Sequence, residues 1–495
     1  MLTGIRTLIV PKLIMAAYFY GQVGICMNFY DDIDRYSERI AVCSEDGTKH
    51  TYGDLIKSAD KLCADISSRS LVFLVCSNSY ASIAGYIGLL RKRAVPILIN
   101  SKMNKEMLDA LEEKYAPSFV ICPEGYEEGS MIAASDGYVT IDRHSASPEM
   151  HNELAVLLTT SGSTGSSKLV MQSYENICAN AASIAEYLDI SPDDRAITTM
   201  PMSYTYGLSI IQSHLLRGAE IIATESSIVE KRFWELLKAE KATTFGGVPY
   251  IYETLKKLRF ERMELPSLRY LTQAGGKLAS HLVLEYSEMC RSKGVEFIVM
   301  YGQTEATARM SYLPWKALPE KAGSIGIAIP GGEFSLLGDD GQLITEPDVQ
   351  GELLYTGKNV TLGYSHDRSD LTGTDLFGDT LHTGDIAKRD SDGFYYITGR
   401  KKRMLKLFGN RVSLDETEEL LKNAGYDCVC GGKDDLLTVY LVHGDDETSR
   451  SVISYLSEAT GLNHTAFRTV NIDEIPLNSS GKTAYSVLEE KYGRY

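Results

Sequence analysis

The sequence predicts an α/β protein, because short apolar segments alternate with stretches of helical periodicity along most of its 495 residues. The runs at residues 71–76 and 119–122 have the length and composition of buried strands. Helix-patterned stretches at residues 52–67 and 104–114 lie between or beside them. Since parallel strands are joined by helical crossovers, the alternation indicates sheets that are largely parallel.

The pattern changes in the last third of the chain. Past about residue 338, short alternating runs separated by turn pairs such as Asp392-Gly393 indicate a β-rich subdomain. After Arg400, a helix, two strands, a second helix and a final strand predict a compact α+β unit. We therefore expect a large domain over residues 28–398 and a small one over 399–495, with the boundary near 398–403.

Composition and charge narrow the function classes. Hydrophobic residues make up 44% and charged residues 23%, which is ordinary for a globular protein and excludes a disordered or collagen-like chain. The net charge of −16 disfavours nucleic acid or an anionic membrane surface as the main partner. Nine scattered cysteines, an odd number, fit free thiols in a reducing cytosol, so we expect a cytoplasmic protein.

Residues 1–27 form an apolar N-terminal extension whose status stays open. The apolar run at 13–27 follows two basic residues, as in a signal peptide, but no small-residue cleavage site follows it. The run is also short for a membrane span. It could be an interfacial or packed helix. Alternatively, Met27 is the native start, since an ordinary polar and apolar pattern begins at Asn28.

A Gly/Ser/Thr-rich segment at residues 159–168 is the first candidate phosphate site. It follows an apolar strand at 155–158 and precedes a helix that begins near Tyr174. Its hydroxyls and glycine amides, together with Lys168, could surround a polyphosphate. It is not the common P-loop, whose glycine and lysine spacing does not fit. A flexible linker is the alternative, but a linker needs no strand before it and no helix after it.

Three further segments carry candidate site residues. Ser479–Thr483 presents Lys482 in a glycine-containing loop, although a surface lysine would look the same. Tyr301–Glu305 places an aromatic ring, a hydroxyl and a carboxylate after a strand, which suits a base, a phosphoryl oxygen and Mg²⁺. His382–Asp385 puts a carboxylate at a glycine turn, which suits a ribose diol. Each signal is weak by itself.

Taken in order, these segments resemble the adenylate-forming enzymes, the superfamily of acyl-CoA synthetases, adenylation domains and luciferases. The resemblance covers essentially the whole chain from about residue 28. Two departures fall in the first motif, where Ser167 and Leu169 replace the usual proline and glycine. The matching motifs are T-S-G-[ST]-T-G at 160–165, Y-G-x-T-E at 301–305, G-E-L at 351–353 with G-Y at 363–364, T-G-D at 383–385, G-R…K-x-x-G-x-R-V at 399–412, and the lysine motif at 476–482.

The resemblance implies a fold and a set of ATP contacts. The large domain would hold two stacked α/β sheets and the β-rich subdomain, and the small C-terminal domain would move about a hinge at Lys402. Catalysis would rest on Lys482, Thr304 and Glu305, the last as the Mg²⁺ ligand. The implied ATP-binding residues are Thr160, Ser161, Gly162, Ser163, Thr164, Gly165, Lys168, Gly275, Gly276, Lys277, Tyr301, Gly302, Gln303, Asp385 and Arg400.

The resemblance also implies a reaction: ATP activates a carboxylic acid as an acyl-adenylate with release of pyrophosphate, and the acyl group passes to a thiol. The acceptor would be CoA or the phosphopantetheine of a separate carrier protein. Transfer to an amine, or a non-catalytic scaffold, are the alternatives. The expected acid pocket contains Tyr204, Tyr206, Gly207 and Gly247. Because residues 198–212 include no carboxylate for an ammonium group, a plain or hydroxylated acid is favoured over an α-amino acid.

Overall fold

The computed structural model describes most of the chain from Asn28 onward, and the account below concerns those residues. No helix in this part of the chain combines the length and the apolar character needed to cross a membrane. The described ranges are 28–103, 105–159, 168–373, 376–407, 410–460, 462–477 and 483–492.

A nine-stranded sheet, here called sheet A, forms one layer of the large unit. Its order is β16-β15-β14-β13-β12-β10-β11-β1-β2, and the six strands from β14 to β1 run parallel. The strands are β1 (Ile40–Cys43), β2 (Lys49–Thr51), β10 (Arg195–Ile197), β11 (Glu220–Ile222), β12 (Thr244–Gly247), β13 (Tyr270–Gln273), β14 (Glu296–Tyr301), β15 (Ser311–Leu313) and β16 (Ile327–Ala328).

An eight-stranded sheet, sheet B, forms the second layer. Its order is β19-β9-β8-β4-β3-β5-β7-β6, with a parallel centre and antiparallel edges. The strands are β3 (Leu71–Cys76), β4 (Val95–Asn100), β5 (Phe119–Pro123), β6 (Ser130–Ser135), β7 (Tyr138–Asp142), β8 (Leu154–Thr159), β9 (Leu169–Ser173) and β19 (Gly363–Ser365).

Helices connect the parallel strands, and several of them pack between the two sheets. One buried cluster joins Leu74 of β3 and Tyr270 of β13 to Ile87 and Ile184 on two of these helices. The two sheets therefore share one core. Each fully buried apolar side chain in it stabilises the fold by about 1.5–3 kcal/mol. The helices are α1 (Tyr52–Leu62), α2 (Tyr80–Arg91), α3 (Lys105–Tyr115), α4 (Tyr174–Tyr187), α5 (Thr205–Leu216), α6 (Lys231–Ala239), α7 (Pro249–Lys257) and α8 (Ser280–Ser292).

A four-stranded antiparallel sheet follows and matches the predicted β-rich subdomain. Its order is β17 (Gly332–Leu337), β18 (Gly351–Gly357), β20 (Thr380–Arg389) and β21 (Tyr395–Arg400). Between β18 and β20 the chain leaves this sheet, and β19 pairs antiparallel with β9 at the edge of sheet B. The β-rich part is therefore joined to sheet B through main-chain hydrogen bonds.

The C-terminal part has its own core and confirms the expected α+β composition. A β-hairpin precedes a three-stranded sheet of order β24-β25-β26, and Leu421, Val439 and Leu456 are among its fully buried residues. The elements are β22 (Met404–Leu407), β23 (Asn410–Ser413), α9 (Leu414–Asn423), β24 (Cys428–Lys433), β25 (Leu436–Val442), α10 (Asp446–Thr460), β26 (Phe467–Ile472) and α11 (Tyr485–Tyr492).

The α/β fold class predicted from the sequence is confirmed, with two large sheets, a β-rich part and a smaller C-terminal part. The domain limits stay a prediction. The predicted hinge residue, Lys402, lies in a short 3₁₀ turn over Lys401–Arg403, directly after β21. One of the contacts between the C-terminal part and the rest of the chain is the ion pair between Lys277 and Glu419, with 2.6 Å between Nζ and Oε2.

A buried histidine gives the fold a pH dependence. His214 on α5 is 2% exposed; its Nδ1 donates to the Ile210 carbonyl oxygen at 2.8 Å, and its Nε2 lies 3.2 Å from the Tyr270 hydroxyl. Burial lowers the pKa of His214 from 6.5 to about 4. Below pH 6.5 His214 is therefore protonated in the unfolded chain, whereas in the folded chain it is protonated only below about pH 4.

We expect the free energy of unfolding to fall as the pH drops from 6.5 to 4, by about 3 kcal/mol from this group alone. Urea unfolding at several pH values would measure it for the native protein and for His214→Gln. The variant should lose less stability across that window. Equal losses in the two proteins would contradict the assignment to His214.

Candidate active site

Asp385 lies at the centre of a hydrogen-bonded cluster where β20 and β21 face the end of β14. Its side chain is almost fully buried, with 2% of the residue exposed. The Tyr301 hydroxyl donates to Oδ2 at 2.5 Å, and Gln303 Nε2 donates to the same oxygen at 3.0 Å. Arg400 Nε lies 2.9 Å from Oδ1. The aspartate is thus fixed by three donors from two separate parts of the sequence.

The segment Tyr301–Glu305 turns sharply as it leaves β14. A Cβ on Gly302 would stand 1.7 Å from the carbonyl oxygen of Ala308, so only glycine fits this close approach. The Gln303 side chain reaches back across the turn and donates to the Thr383 carbonyl oxygen at 3.0 Å. Burial and the adjacent Asp385 carboxylate raise the pKa of Tyr301 well above its usual value, so this phenol stays protonated and keeps donating.

A second cluster lies at the other end of that segment. The Tyr364 hydroxyl donates to Glu305 Oε1 at 2.6 Å, and the Lys168 ammonium lies 3.4 Å from the centroid of the Tyr364 ring. Tyr364 belongs to β19 and Lys168 directly precedes β9, so pairing of these two strands brings the cluster together. Tyr364 therefore links a carboxylate to a cation next to the predicted phosphate segment.

The predicted adenine segment follows β13. Gly275 has φ +82°, which disfavours other residues, and a Cβ there would approach Val248 at 2.9 Å and the Tyr204 hydroxyl at 3.0 Å. Gln273 Nε2 donates to the carbonyl oxygen of Gly276 at 2.9 Å. Lys277 points to the C-terminal part, where it pairs with Glu419. The segment is thus close to both the predicted acid pocket and the small unit.

The two predicted pocket tyrosines differ in their surroundings. Tyr204 is half-buried directly before α5, whereas Tyr206 is 3% exposed and donates to the Thr272 carbonyl oxygen at 2.9 Å. A Cβ on Gly246 would meet the Tyr206 hydroxyl at 2.7 Å. Gly207 and Gly247 are buried in close contact with backbone or side-chain atoms. Tyr206 thus contacts the carboxyl end of β12 through Gly246, and the assignment of these residues to an acid pocket stays a prediction.

The structure brings together Tyr301, Gln303, Asp385 and Arg400, and it places Glu305 near Lys168. Thr304 accepts a hydrogen bond on its carbonyl oxygen from Gln172 Nε2 at 3.4 Å. The predicted site residues Thr160–Gly165 and Lys482 lie outside the described residues. The N-terminal extension at 1–27 lies outside them as well. Their roles stay predictions.

Sequence reasoning gave no role to Tyr364, although it noted the G-Y pair at 363–364. The contact with Glu305 spans 59 residues along the chain, and no local periodicity signals it. The hydrogen bonds from Gln303 to Thr383 and Asp385 were also not predicted, because they depend on β14 and β20 facing each other. The full burial of Arg309 was not predicted either, because arginine side chains are usually exposed.

Comparison with known proteins identifies the family of the chain. Residues 29–365 match the family described as AMP-binding enzyme. The chain belongs to this family, which places it in the adenylate-forming superfamily and confirms the resemblance predicted from the motifs.

Individual relatives share about a quarter of their residues with the chain or fewer. The chain is 27% identical over 398 residues to a 2-succinylbenzoate–CoA ligase of Geobacillus sp. (strain WCH70), covering 78% of this chain and 79% of the relative. It is 26% identical over 403 residues to a feruloyl-CoA synthase of Amycolatopsis sp., covering 78% and 81%. The o-succinylbenzoate CoA synthetase of Bacillus subtilis, solved with its acyl-adenylate intermediate, superimposes with a TM-score of 0.76 at 22% identity, covering 93% of this chain and 98% of that one.

Proposed function

We propose that the protein activates a carboxylic acid with ATP, forming an acyl-adenylate and pyrophosphate, and then transfers the acyl group to the thiol of CoA. The observation that carries the proposal is the buried Asp385 cluster. Membership of the AMP-binding enzyme family and the CoA-ligase activity named for the curated relatives support it. A carrier-protein thiol remains the second acceptor to test.

The residues present fit ATP with a divalent cation. A carboxylate has about four acceptor positions, and Asp385 uses three of them for Tyr301, Gln303 and Arg400. The Arg400 side chain is 60% exposed, and a turn of this side chain toward solvent would release Oδ1 for a ribose hydroxyl. Glu305 offers a hard carboxylate oxygen for Mg²⁺, and Lys168 offers a cation for phosphate oxygens.

The chemistry requires two anions to meet. An oxygen of the acid's carboxylate attacks the α-phosphorus, and the bond to pyrophosphate breaks. We assign Asp385 to fixing the ribose, Thr304 to contacting the α-phosphate and Lys482 to neutralising charge between the carboxylate and that phosphate. A magnesium ion, when bound at Glu305, would supply further neutralisation of the phosphate oxygens.

The proposed acid pocket lies around Tyr204, Tyr206, Gly207 and Gly247. Burial raises the pKa of Tyr204 to about 12, so its hydroxyl stays neutral at physiological pH and can serve as a hydrogen-bond donor. No Asp or Glu occurs at residues 198–212, the segment that contains the two tyrosines, to pair with an α-ammonium group. The pocket therefore suits an acid without a free amine.

ATP–pyrophosphate exchange with purified protein and a panel of carboxylic acids tests the proposal. We expect at least one acid to drive exchange and CoA to convert the same acid into a thioester. Exchange without thioester formation would shift the acceptor to a carrier protein or an amine. ATP binding without exchange for any acid would contradict the adenylation function.

The Glu305 assignment gives a separate prediction. Glu305→Gln should raise the Mg²⁺ concentration for half-maximal exchange by about tenfold, because a neutral amide is a weaker magnesium ligand than a carboxylate. The Tyr364 hydroxyl can still donate to the amide oxygen. As the matched control, Tyr364→Phe removes that hydrogen bond and keeps the carboxylate, so its effect should be smaller. An unchanged Mg²⁺ dependence in Glu305→Gln would remove Glu305 from the metal site.

A further inference from the structure

A thiol and two carboxylates lie together near the β1–β2 edge of sheet A. Cys43 ends β1, Glu220 begins β11, and Glu240 directly follows α6. One potential ligand atom from each of these side chains lies within 4.8 Å of the other two, and no other His, Cys, Asp or Glu group among the described residues is grouped this closely. Because β11 is four strand spacings from β14, about 19 Å, the cluster is separate from the proposed ATP site.

Strand register and helix packing explain why the three side chains meet. Cys43 is paired with Ile222 of the parallel strand β11, and residues two apart on a strand point to the same face, so Glu220 lies on the face of Cys43. On the other side Cys43 is paired with Lys49 of β2. Helix α6 packs on this face in the same apolar cluster as Cys43, which brings Glu240 to the thiol from above the sheet.

The hydrogen bonding of Glu220 is incomplete. Only 9% of the residue is exposed, and its Oε2 lies 3.4 Å from Arg195 Nε, but its Oε1 is buried and has no hydrogen-bond partner. Cys43 is fully buried, and its thiol contacts only the Ser44 carbonyl oxygen at a long 3.6 Å among the hydrogen bonds described. A buried carboxylate oxygen without a partner destabilises the fold, so a cation between these groups would satisfy it.

The two cationic side chains at the cluster are both partly exposed. Lys49 Nζ lies 2.7 Å from Glu240 Oε2, and the side chains of Lys49 and Arg195 are 47% and 38% exposed. Ion pairs with this exposure contribute little to stability, so both cations can turn toward solvent. Glu240 also caps the C-terminus of α6, where the partial negative charge of the helix disfavours a carboxylate and favours a bound cation.

We propose that Cys43, Glu220 and Glu240 form a binding site for one zinc ion. Magnesium and calcium take oxygen ligands, whereas zinc accepts a thiolate together with carboxylate oxygens. The three side chains would supply three of the four ligands of a tetrahedral site, and a water molecule would supply the fourth. On binding, the S–H bond of Cys43 breaks, its proton passes to solvent and a sulfur–zinc bond forms, without any change in oxidation state.

Such an ion would join three separate parts of the chain. It would link the end of β1 and the start of β11 to the C-terminal end of α6, and it would replace Lys49 as the cation at Glu240. The inference does not depend on the proposed adenylation function, because the site shares no residue with the ATP or acid sites. Its test therefore needs no substrate.

Titration of the full-length, reduced and metal-free protein with Co²⁺ tests the site, because cobalt reports thiolate ligation and tetrahedral geometry in its absorption spectrum. We expect one equivalent of Co²⁺ to produce a thiolate-to-cobalt charge-transfer band, and one equivalent of Zn²⁺ to abolish it. Cys43→Ala should lose the band. Glu220→Gln should weaken Co²⁺ binding by about tenfold or more, since it removes a charged ligand.

Two further variants separate a metal site from a network of ion pairs. Lys49→Met removes the competing cation and should tighten Co²⁺ binding by about fivefold. Cys63→Ala changes another fully buried cysteine and, as the matched control, should retain the native spectrum.

The inference would be overturned by a native protein without the charge-transfer band, or by a band that persists in Cys43→Ala. If Cys43→Ala does not fold, Glu220→Gln and Lys49→Met decide. An unchanged Co²⁺ affinity in both of these variants would show that the cluster is an ion-pair network and no metal site.

Discussion

Lys482→Ala should reduce ATP–pyrophosphate exchange by about 10³-fold, the largest loss that we expect from a single substitution. The acid and ATP are both anionic, and the lysine motif at residues 476–482 supplies the cation that we place between the carboxylate and the α-phosphate. A positioned charge at that point stabilises the transition state more than either bound substrate, so kcat should fall more than KM rises.

The control separates loss of chemistry from loss of structure. Lys491→Ala changes another lysine of the C-terminal segment, on α11, and should leave the exchange rate unchanged. Because the proposed task of Lys482 ends with adenylation, chemically prepared acyl-adenylate and CoA should still react in Lys482→Ala. Normal exchange in the variant, or equal loss in both steps, would contradict the assignment.

Asp385→Asn should raise the KM for ATP by roughly 100-fold, because each hydrogen bond to a charged group contributes about 1.5–3 kcal/mol. The asparagine retains the shape of the side chain, whereas its amide nitrogen cannot accept from Tyr301 or from a ribose hydroxyl. Steady-state exchange kinetics would be compared for ATP and for its 2′-deoxy and 3′-deoxy analogues. The native protein should discriminate against both analogues, and the variant should discriminate little.

Asp390→Asn provides the matched control for that experiment. Asp390 lies just beyond β20, where it pairs with Lys321 at 2.8 Å, and we assign it no contact with ATP. Its replacement should leave the KM for ATP and the discrimination against deoxy analogues unchanged. If Asp385→Asn also retained both, the cluster of Tyr301, Gln303 and Arg400 would be a structural network and no ribose site.

Much of the large-scale fold could be predicted because burial leaves local marks in the sequence. The apolar run at Leu71–Cys76 forms a strand with the predicted limits, and all six of its residues are buried. Sheet membership could not be predicted. Strand β19 is three residues long, and its pairing with β9 joins positions almost 200 residues apart, so neither composition nor periodicity records it.

The candidate site was likewise predictable where its signals are local and unpredictable where it depends on long-range packing. The motifs predicted Tyr301, Glu305 and Asp385 one by one, because aromatic, hydroxyl and acidic groups next to glycine turns are locally visible. Their joint geometry depends on packing between strands: Gln303 reaches Asp385 only because β14 ends beside β20. The burial of Arg309 could not be predicted from the sequence, because burial of a cation reflects its three-dimensional surroundings and contradicts its hydropathy.

The pairing of β19 with β9 also has a consequence during protein synthesis. Ribosomes complete residues 169–173 long before residues 363–365, so in the nascent chain β9 is the unprotected margin of sheet B. Exposed strand margins invite pairing with other chains and hence aggregation. Fragments that end before residue 363 should therefore be poorly soluble, and the Lys168 side of the site would mature only when translation is about three-quarters complete.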